Sequence, residues 1–167
     1  MKRTHTCNEL RKPDVGAAVT LIGWIETLRD HGSIQFVDLR DREGFTQIYF
    51  ETDNPSYGND LARLKPESVI EVTGVVRARN EDEVNDKVPT GEIEVVAETL
   101  VIHNISETPP FPLDDAKAAR VNEDLRLQYR YLDLRRKGMY RNLEIRSRAA
   151  KAMRDFLADE KFLEVEL

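Results

Sequence analysis

Five runs rich in β-branched and aromatic residues fill the first hundred positions, and turn signals separate them. The runs are Ala18–Arg29 (AVTLIGWIETLR), Ile34–Arg40 (IQFVDLR), Phe45–Phe50 (FTQIYF), Val69–Arg79 (VIEVTGVVRAR) and Glu92–His103 (EIEVVAETLVIH). Branched and flat side chains suit the pleated surface of a sheet, so each run predicts a strand. His31-Gly32-Ser33 reads as a turn, and Asp41-Arg42-Glu43-Gly44 has the chemistry of a hairpin. A short helix-like patch at Asp60–Leu64 stands between the third and fourth runs. Gly23 and Gly74 interrupt the first and fourth, as glycines do at bulges and tight bends of a closed sheet. Five strands with a helix after the third is the order of an OB-fold barrel. A sandwich and an SH3-like barrel remain compatible with the strand count alone.

The period changes after Thr108-Pro109-Pro110-Phe111-Pro112, a proline cluster that favours extended backbone and marks a boundary. Asp115–Leu127 is charged and weakly helical. Met139–Glu160 places Ile145, Ala149, Ala152, Met153, Phe156 and Leu157 on one face of a long amphipathic helix. Phe162–Leu167 has the look of a strand beginning. A piece of this size with one long helix cannot close a core of its own, so the apolar face needs material from elsewhere.

Charge follows the same division. The 167 residues carry a formal net charge of −6, which taken alone argues against a nucleic-acid binder. That average hides a gradient. From Glu81 to Glu107 there are eight acidic residues and one basic residue; from Arg126 to Arg154 there are ten basic and two acidic, a net of +8. No apolar run approaches the roughly 18 to 20 residues of a membrane span, and no signal-peptide core follows Met1. Cys7 is the single cysteine, which excludes an internal disulfide and fits a reducing cytoplasm. His5, His31 and His103 lack metal-ligand spacing. No phosphate-cradling glycine loop and no nucleophile–base arrangement stands out, so no catalytic residue and no metal ligand is assigned.

Three segments together carry a resemblance. The first is Gly23-Trp24-Ile25 with Leu28-Arg29-Asp30-His31-Gly32-Ser33-Ile34-Gln35-Phe36-Val37-Asp38-Leu39-Arg40-Asp41-Arg42-Glu43-Gly44. The second is Gln128-Tyr129-Arg130-Tyr131-Leu132-Asp133-Leu134-Arg135-Arg136, and the third runs from Arg154-Asp155-Phe156-Leu157 to Phe162-Leu163-Glu164-Val165-Glu166. The chain resembles, over nearly its whole length, the N-terminal part of a bacterial-type aspartyl-tRNA synthetase, a class II enzyme. The resemblance implies a mainly β fold: a five-stranded OB-fold anticodon-binding barrel at 1–104, then a hinge or linker at 105–124. At 125–167 it implies the truncated start of an α+β catalytic domain with the motif 1 helix. In the family, Thr-Pro follows Val-Glu; here Leu167 stands at the threonine position, so a fragment is expected. The motifs that take ATP, magnesium and aspartate would lie downstream. The fragment is therefore expected to bind tRNA-Asp without catalysis, and the parent to be a cytoplasmic homodimer joined through the motif 1 helix. The matching part of an asparaginyl or lysyl enzyme and a stand-alone OB-fold nucleic-acid module are the alternatives.

The resemblance also assigns residues. Phe36 would stack on the central anticodon base, and Gln47 would bond its edge. Val37 and Leu39, in the same strand as Phe36, have the opposite parity and should face the core. Arg29 would lie near the third base, with Asp30 orienting it, and Glu94 would accept from the first base. Arg77 and Arg79 would contact phosphates, or one of them would pair with Glu81 or Asp82. His31 replaces a leucine of some bacterial members, and histidine there accompanies enzymes that also charge tRNA-Asn. Arg130, Arg135, Arg136 and Arg141 would meet tRNA backbone or acidic groups of the missing catalytic domain. The 139–160 helix would pack within that domain, at the dimer interface, or both.

Overall fold

The computed structural model describes residues 2–165. The chain separates into two compact units, divided between Thr108 and Pro109.

In the first unit the strands are β1 (Ala18–Asp30), β2 (Ile34–Arg40), β3 (Phe45–Glu51), β4 (Val69–Ala78) and β5 (Ile93–Asn104), with helix α1 (Gly58–Leu61) between β3 and β4. They form a closed barrel in the order β1-β2-β3-β5-β4. Every pairing is antiparallel except β3 with β5, a short parallel seam that matches Ile48 with Val95 and Tyr49 with Val96. This is the expected OB-fold, with its helix in the expected place.

The period of two along each strand builds the core. Val19, Leu21 and Ile25 of β1, Val37 and Leu39 of β2, Ile48 and Phe50 of β3, and Ile70, Val72 and Val76 of β4 all point inward. Each such side chain contributes about 1.5–3 kcal/mol when fully buried. Leu61 of α1, Leu64 and Tyr57 add to this core. The Tyr57 hydroxyl accepts from the Glu51 N–H and donates to the Ala97 carbonyl, both at 3.2 Å, which satisfies the one polar atom of a buried ring. Cys7 and Leu10 pack into the same core from the N-terminal segment, anchored where the Thr46 hydroxyl donates to the Cys7 carbonyl at 2.7 Å.

Closure requires close backbone approach. At Gly74, beside a register shift between β4 and β5, a Cβ would stand 2.0 Å from the Val96 carbonyl oxygen. The hairpin tip is held by its first residue: Asp41 Oδ1 accepts from the N–H groups of Glu43 and Gly44 at 2.8 and 3.2 Å.

The second unit holds α2 (Asp115–Ala118), α3 (Glu123–Gln128), α4 (Arg130–Asp133) and the long α5 (Lys137–Asp159). Its centre is ionic. Asp133 is fully buried and accepts from Arg130 at 2.5 Å and Arg136 at 2.7 Å. Arg136 also donates to Asp115 at 3.0 Å, and the second oxygen of Asp115 accepts from the Gly138 N–H at 2.8 Å. Thus Arg130 and Arg136 neutralise carboxylates of their own unit. Asp115, in the stretch expected as linker, is one of those carboxylates. The α5 stripe of Ile145, Met153, Phe156 and Leu157 is exposed. Phe162–Val165 is not a strand, because an isolated extended segment has no partner for its ladder bonds; Glu166 and Leu167, the rest of that expected strand, lie outside the described residues. No helix among the described residues is long and apolar enough to cross a membrane.

Candidate nucleic-acid interface

The alternation that sends Val37 and Leu39 inward sends Phe36 and Asp38 to the outer surface of β2. Cross-strand register then assembles a face. Phe36 stands opposite Arg29 of β1 on one side and Tyr49 of β3 on the other; Asp38 stands opposite Thr27 and Gln47. Arg77 of β4 stands opposite Glu94 of β5.

Two rows result. The first is aromatic, with Phe36 and Tyr49 half-buried and His31 exposed. His31, in the β1–β2 turn, meets the Phe36 ring edge-on with centroids 5.6 Å apart, and Phe36 meets Tyr49 in the same way at 5.7 Å. The Arg77 guanidinium carbon lies 4.3 Å from the centroid of the Tyr49 ring, a cation–π contact. The second row is polar. Arg29 grips Asp38 with two parallel bonds of 2.7 and 2.8 Å, and the Thr27 hydroxyl also donates to Asp38. Arg29 Nη2 further donates to Gln47 Oε1 at 3.0 Å. Gln47 Nε2 donates to Glu94 Oε2 at 2.9 Å, and Arg77 donates through Nε and Nη2 to Glu94 Oε1 at 3.0 and 2.5 Å. Arg77 therefore ends both rows.

The electrostatics follow the bonding. The bonds from Asp38 push the Arg29 pKa up. Burial draws the Arg77 pKa down, but its bonds to Glu94 and the charge of that carboxylate more than offset this, and the net shift is upward. Both guanidinium groups thus stay charged. Arg79 is half-buried, and that burial lowers its pKa; its Nε donates to the Ile93 carbonyl at 2.9 Å. Arg29, Arg77 and Arg79 stand among the carboxylates of Asp38, Glu94 and Glu83, so the charges of the face nearly cancel.

The expected residues Arg29, Phe36, Gln47, Glu94, Arg77 and His31 converge on this face. Three details differ from the expectations. Asp30 does not orient Arg29: its Oδ1 caps the turn by accepting from the Gly32 N–H at 2.8 Å, and Asp38 holds the guanidinium instead. Glu94 is only 4% exposed, beneath Arg77 and Gln47. Arg77 pairs with Glu94 rather than with Glu81 or Asp82. Sequence reasoning missed Asp38, Thr27 and Tyr49. The period of two held the signal for two of them, since Asp38 shares a parity with Phe36 and Tyr49 shares one with Gln47. Among the described residues no three His, Cys, Asp or Glu side chains converge as for a metal ion.

Chemically, the face offers a flat apolar platform beside a polar edge. An amide has two N–H donors and two acceptor lone pairs. Gln47 spends one of each on Glu94 and Arg29, which leaves one donor and one acceptor for a ring lying on Phe36.

Residues 19–102 match a family described as the OB-fold nucleic acid binding domain, and residues 122–167 match the class II tRNA synthetases (D, K and N). The chain is 56% identical over 167 residues to an aspartate–tRNA(Asp/Asn) ligase of Opitutus terrae, covering 99% of this chain and 28% of that protein. It is 50% identical to the enzyme of the same name from Desulfotalea psychrophila, covering 99% of this chain and 27% of that protein. The chain thus spans little more than a quarter of the length of these relatives. Among solved structures, the aspartyl tRNA synthetase from Entamoeba histolytica superposes with a TM-score of 0.85 at 21% identity, over 99% of this chain and 39% of that one, a likeness of fold.

Proposed function

The chain belongs to the OB-fold nucleic acid binding domain family, and from that membership we propose that its barrel reads the anticodon loop for an aspartate–tRNA ligase. The observation that carries the reading is the Phe36 platform beside the half-spent amide of Gln47. Unpaired loop bases are recognised by stacking on aromatic faces and by bonds to their edges. The middle base is uracil in this reading. It lies on Phe36, its imino N–H donates to Gln47 Oε1, and its carbonyl accepts from Gln47 Nε2.

Arg29 serves the third base or its phosphate through the Nε–H that its bonds to Asp38, Thr27 and Gln47 leave over. Glu94 keeps one lone pair on Oε2 for the first base. Arg77 and Arg79 would contact phosphates of the loop. His31 abuts Phe36 at the third-base end, where cytosine distinguishes tRNA-Asp and uracil tRNA-Asn. An imidazole donates or accepts according to its tautomer, so it can serve either base. Both relatives above are named for action on both tRNAs, which supports a whole protein that accepts both. ATP and magnesium would be held by parts of the whole protein outside this chain. The exposed apolar stripe of α5 would be covered by the rest of the catalytic domain and by a second subunit. The whole protein would work in the cytoplasm.

The test is titration of the chain with anticodon stem-loops that differ at one base. A central uracil should bind about 5- to 150-fold more tightly than a central cytosine, the worth of one paired set of edge bonds. Third-position cytosine and uracil should bind alike. Weak, equal binding to all loops that collapses with added salt would refute specific reading.

A further inference from the structure

Gln47 is a neutral side chain set between two charges of opposite kind, and this fixes which way round its amide lies. Oε1 accepts from Arg29 at 3.0 Å, and Nε2 donates to Glu94 at 2.9 Å. A guanidinium has only donors and an ionised carboxylate only acceptors. Turning the amide over would aim its N–H groups at the guanidinium and its oxygen at the carboxylate. Two charge-assisted bonds would become two repulsions.

Both neighbours are themselves braced. Asp38 holds Arg29 by two bonds, and Arg77 holds Glu94 by two. The carboxylates doing this are 9% and 4% exposed, so water screens them little.

We propose that Asp38, acting through Arg29, and Glu94, acting directly, are positioning residues that lock the Gln47 amide in one orientation. The lock sets the preference for uracil over cytosine. The inference rests on the reading of Gln47 given above. The two pyrimidines have nearly the same shape, so stacking on Phe36 separates them poorly. Their edges are inverse: uracil presents an N–H beside a carbonyl, cytosine a bare nitrogen beside an amino group. The locked amide fits the first pattern. The turned amide would fit the second in the same stacked pose. Discrimination between bases then depends on residues that need not touch the base.

The test measures the ratio of affinities for two stem-loops that differ only in a central uracil or cytosine, with the first base held constant so that any contact of Glu94 to it cancels. Glu94→Gln replaces a pure acceptor with a group that also donates, which frees the Gln47 amide to turn over. The ratio should fall severalfold toward one, chiefly because the cytosine loop binds more tightly than before. Asp38→Asn puts an amide against Arg29, loosens the guanidinium and should move the ratio in the same direction by less. Urea unfolding of each variant identifies any that does not fold, and the other variant then carries the test. If both loops weaken equally and the ratio stays that of the wild type, these residues are merely structural and the lock is overturned. A wild-type chain that binds the two loops alike overturns the reading of Gln47, and the lock with it.

Discussion

Phe36 and Val37 are adjacent in sequence and opposite in orientation, which allows a matched pair of truncations. Val37 is 0% exposed inside the barrel, opposite Ile48 of β3. Phe36 is half-buried on the outer face, and its ring contacts His31 and Tyr49 edge-on. Phe36→Ala removes two aromatic pairs worth about 0.5–1.5 kcal/mol each, so unfolding stability should fall by about 1–3 kcal/mol. Val37→Ala deletes two buried carbons, and scaling from the loss of one methylene gives about 1–3 kcal/mol as well. The two variants are therefore expected to be similarly destabilised, and both remain folded if the barrel has an ordinary stability of about 5–15 kcal/mol. Their affinities should separate. Losing a stacked base costs about 1–3 kcal/mol, so Phe36→Ala should raise the Kd for a uracil-centred stem-loop about 5- to 150-fold. Val37→Ala should leave it within about twofold, since the surface presented to RNA is unchanged. Fluorescence anisotropy of a labelled stem-loop gives the affinities, and urea denaturation of the same samples gives the stabilities. Unchanged Kd in folded Phe36→Ala, or an equal loss in Val37→Ala, would refute the assignment of Phe36 to the binding face.

Two further perturbations test the barrel that carries the face. Gly74→Ala forces a Cβ to within 2.0 Å of the Val96 carbonyl oxygen; β4 and β5 must part, with a loss of about 1–3 kcal/mol or more in urea denaturation. Burial first, and the neighbouring Asp41 carboxylate second, keep the Cys7 thiol protonated far above its ordinary value of 9.0. Above about pH 9 the unfolded chain then binds fewer protons than the folded one, so stability falls as pH rises, by about 1.4 kcal/mol at about pH 10. Below about pH 9 this contribution is constant. The stability difference between wild type and Cys7→Ala, followed by urea denaturation across that range, should shrink by that amount.

The parts of the fold written in local pattern were legible. Alternation in β2 placed Phe36 outside and Val37 inside, and the glycine near the middle of β4 marked the place where backbones approach. Partners across strands were not legible. Asp30 looked like the natural companion of Arg29 because it comes next in sequence, but successive residues of a strand point to opposite faces. The true companion, Asp38, is supplied by the register of β1 on β2, in which it stands opposite Thr27. Glu94 lies in an acidic stretch that reads as solvated surface. Its burial comes from β4, which brings Arg77 over it, and from β3, which brings Gln47 alongside. The basic run after the boundary concealed its organiser for a related reason: Asp133, one of only two acids in it, is the residue around which the arginines turn inward.

The parallel seam between β3 and β5 bears on how the protein matures. Antiparallel neighbours such as β2 and β3 meet through a short hairpin, whereas β3 and β5 meet across an intervening helix and strand, and such long loops close late and slowly. The proposed binding face lies across that seam, because Gln47 is on one side and Glu94 on the other. In the proposed reading, a chain still emerging from the ribosome, with β1 to β4 released and β5 not yet synthesised, has its stacking platform and Arg29 against Gln47, but not Glu94 on the other side of the amide. The second half of the proposed lock arrives with the last strand.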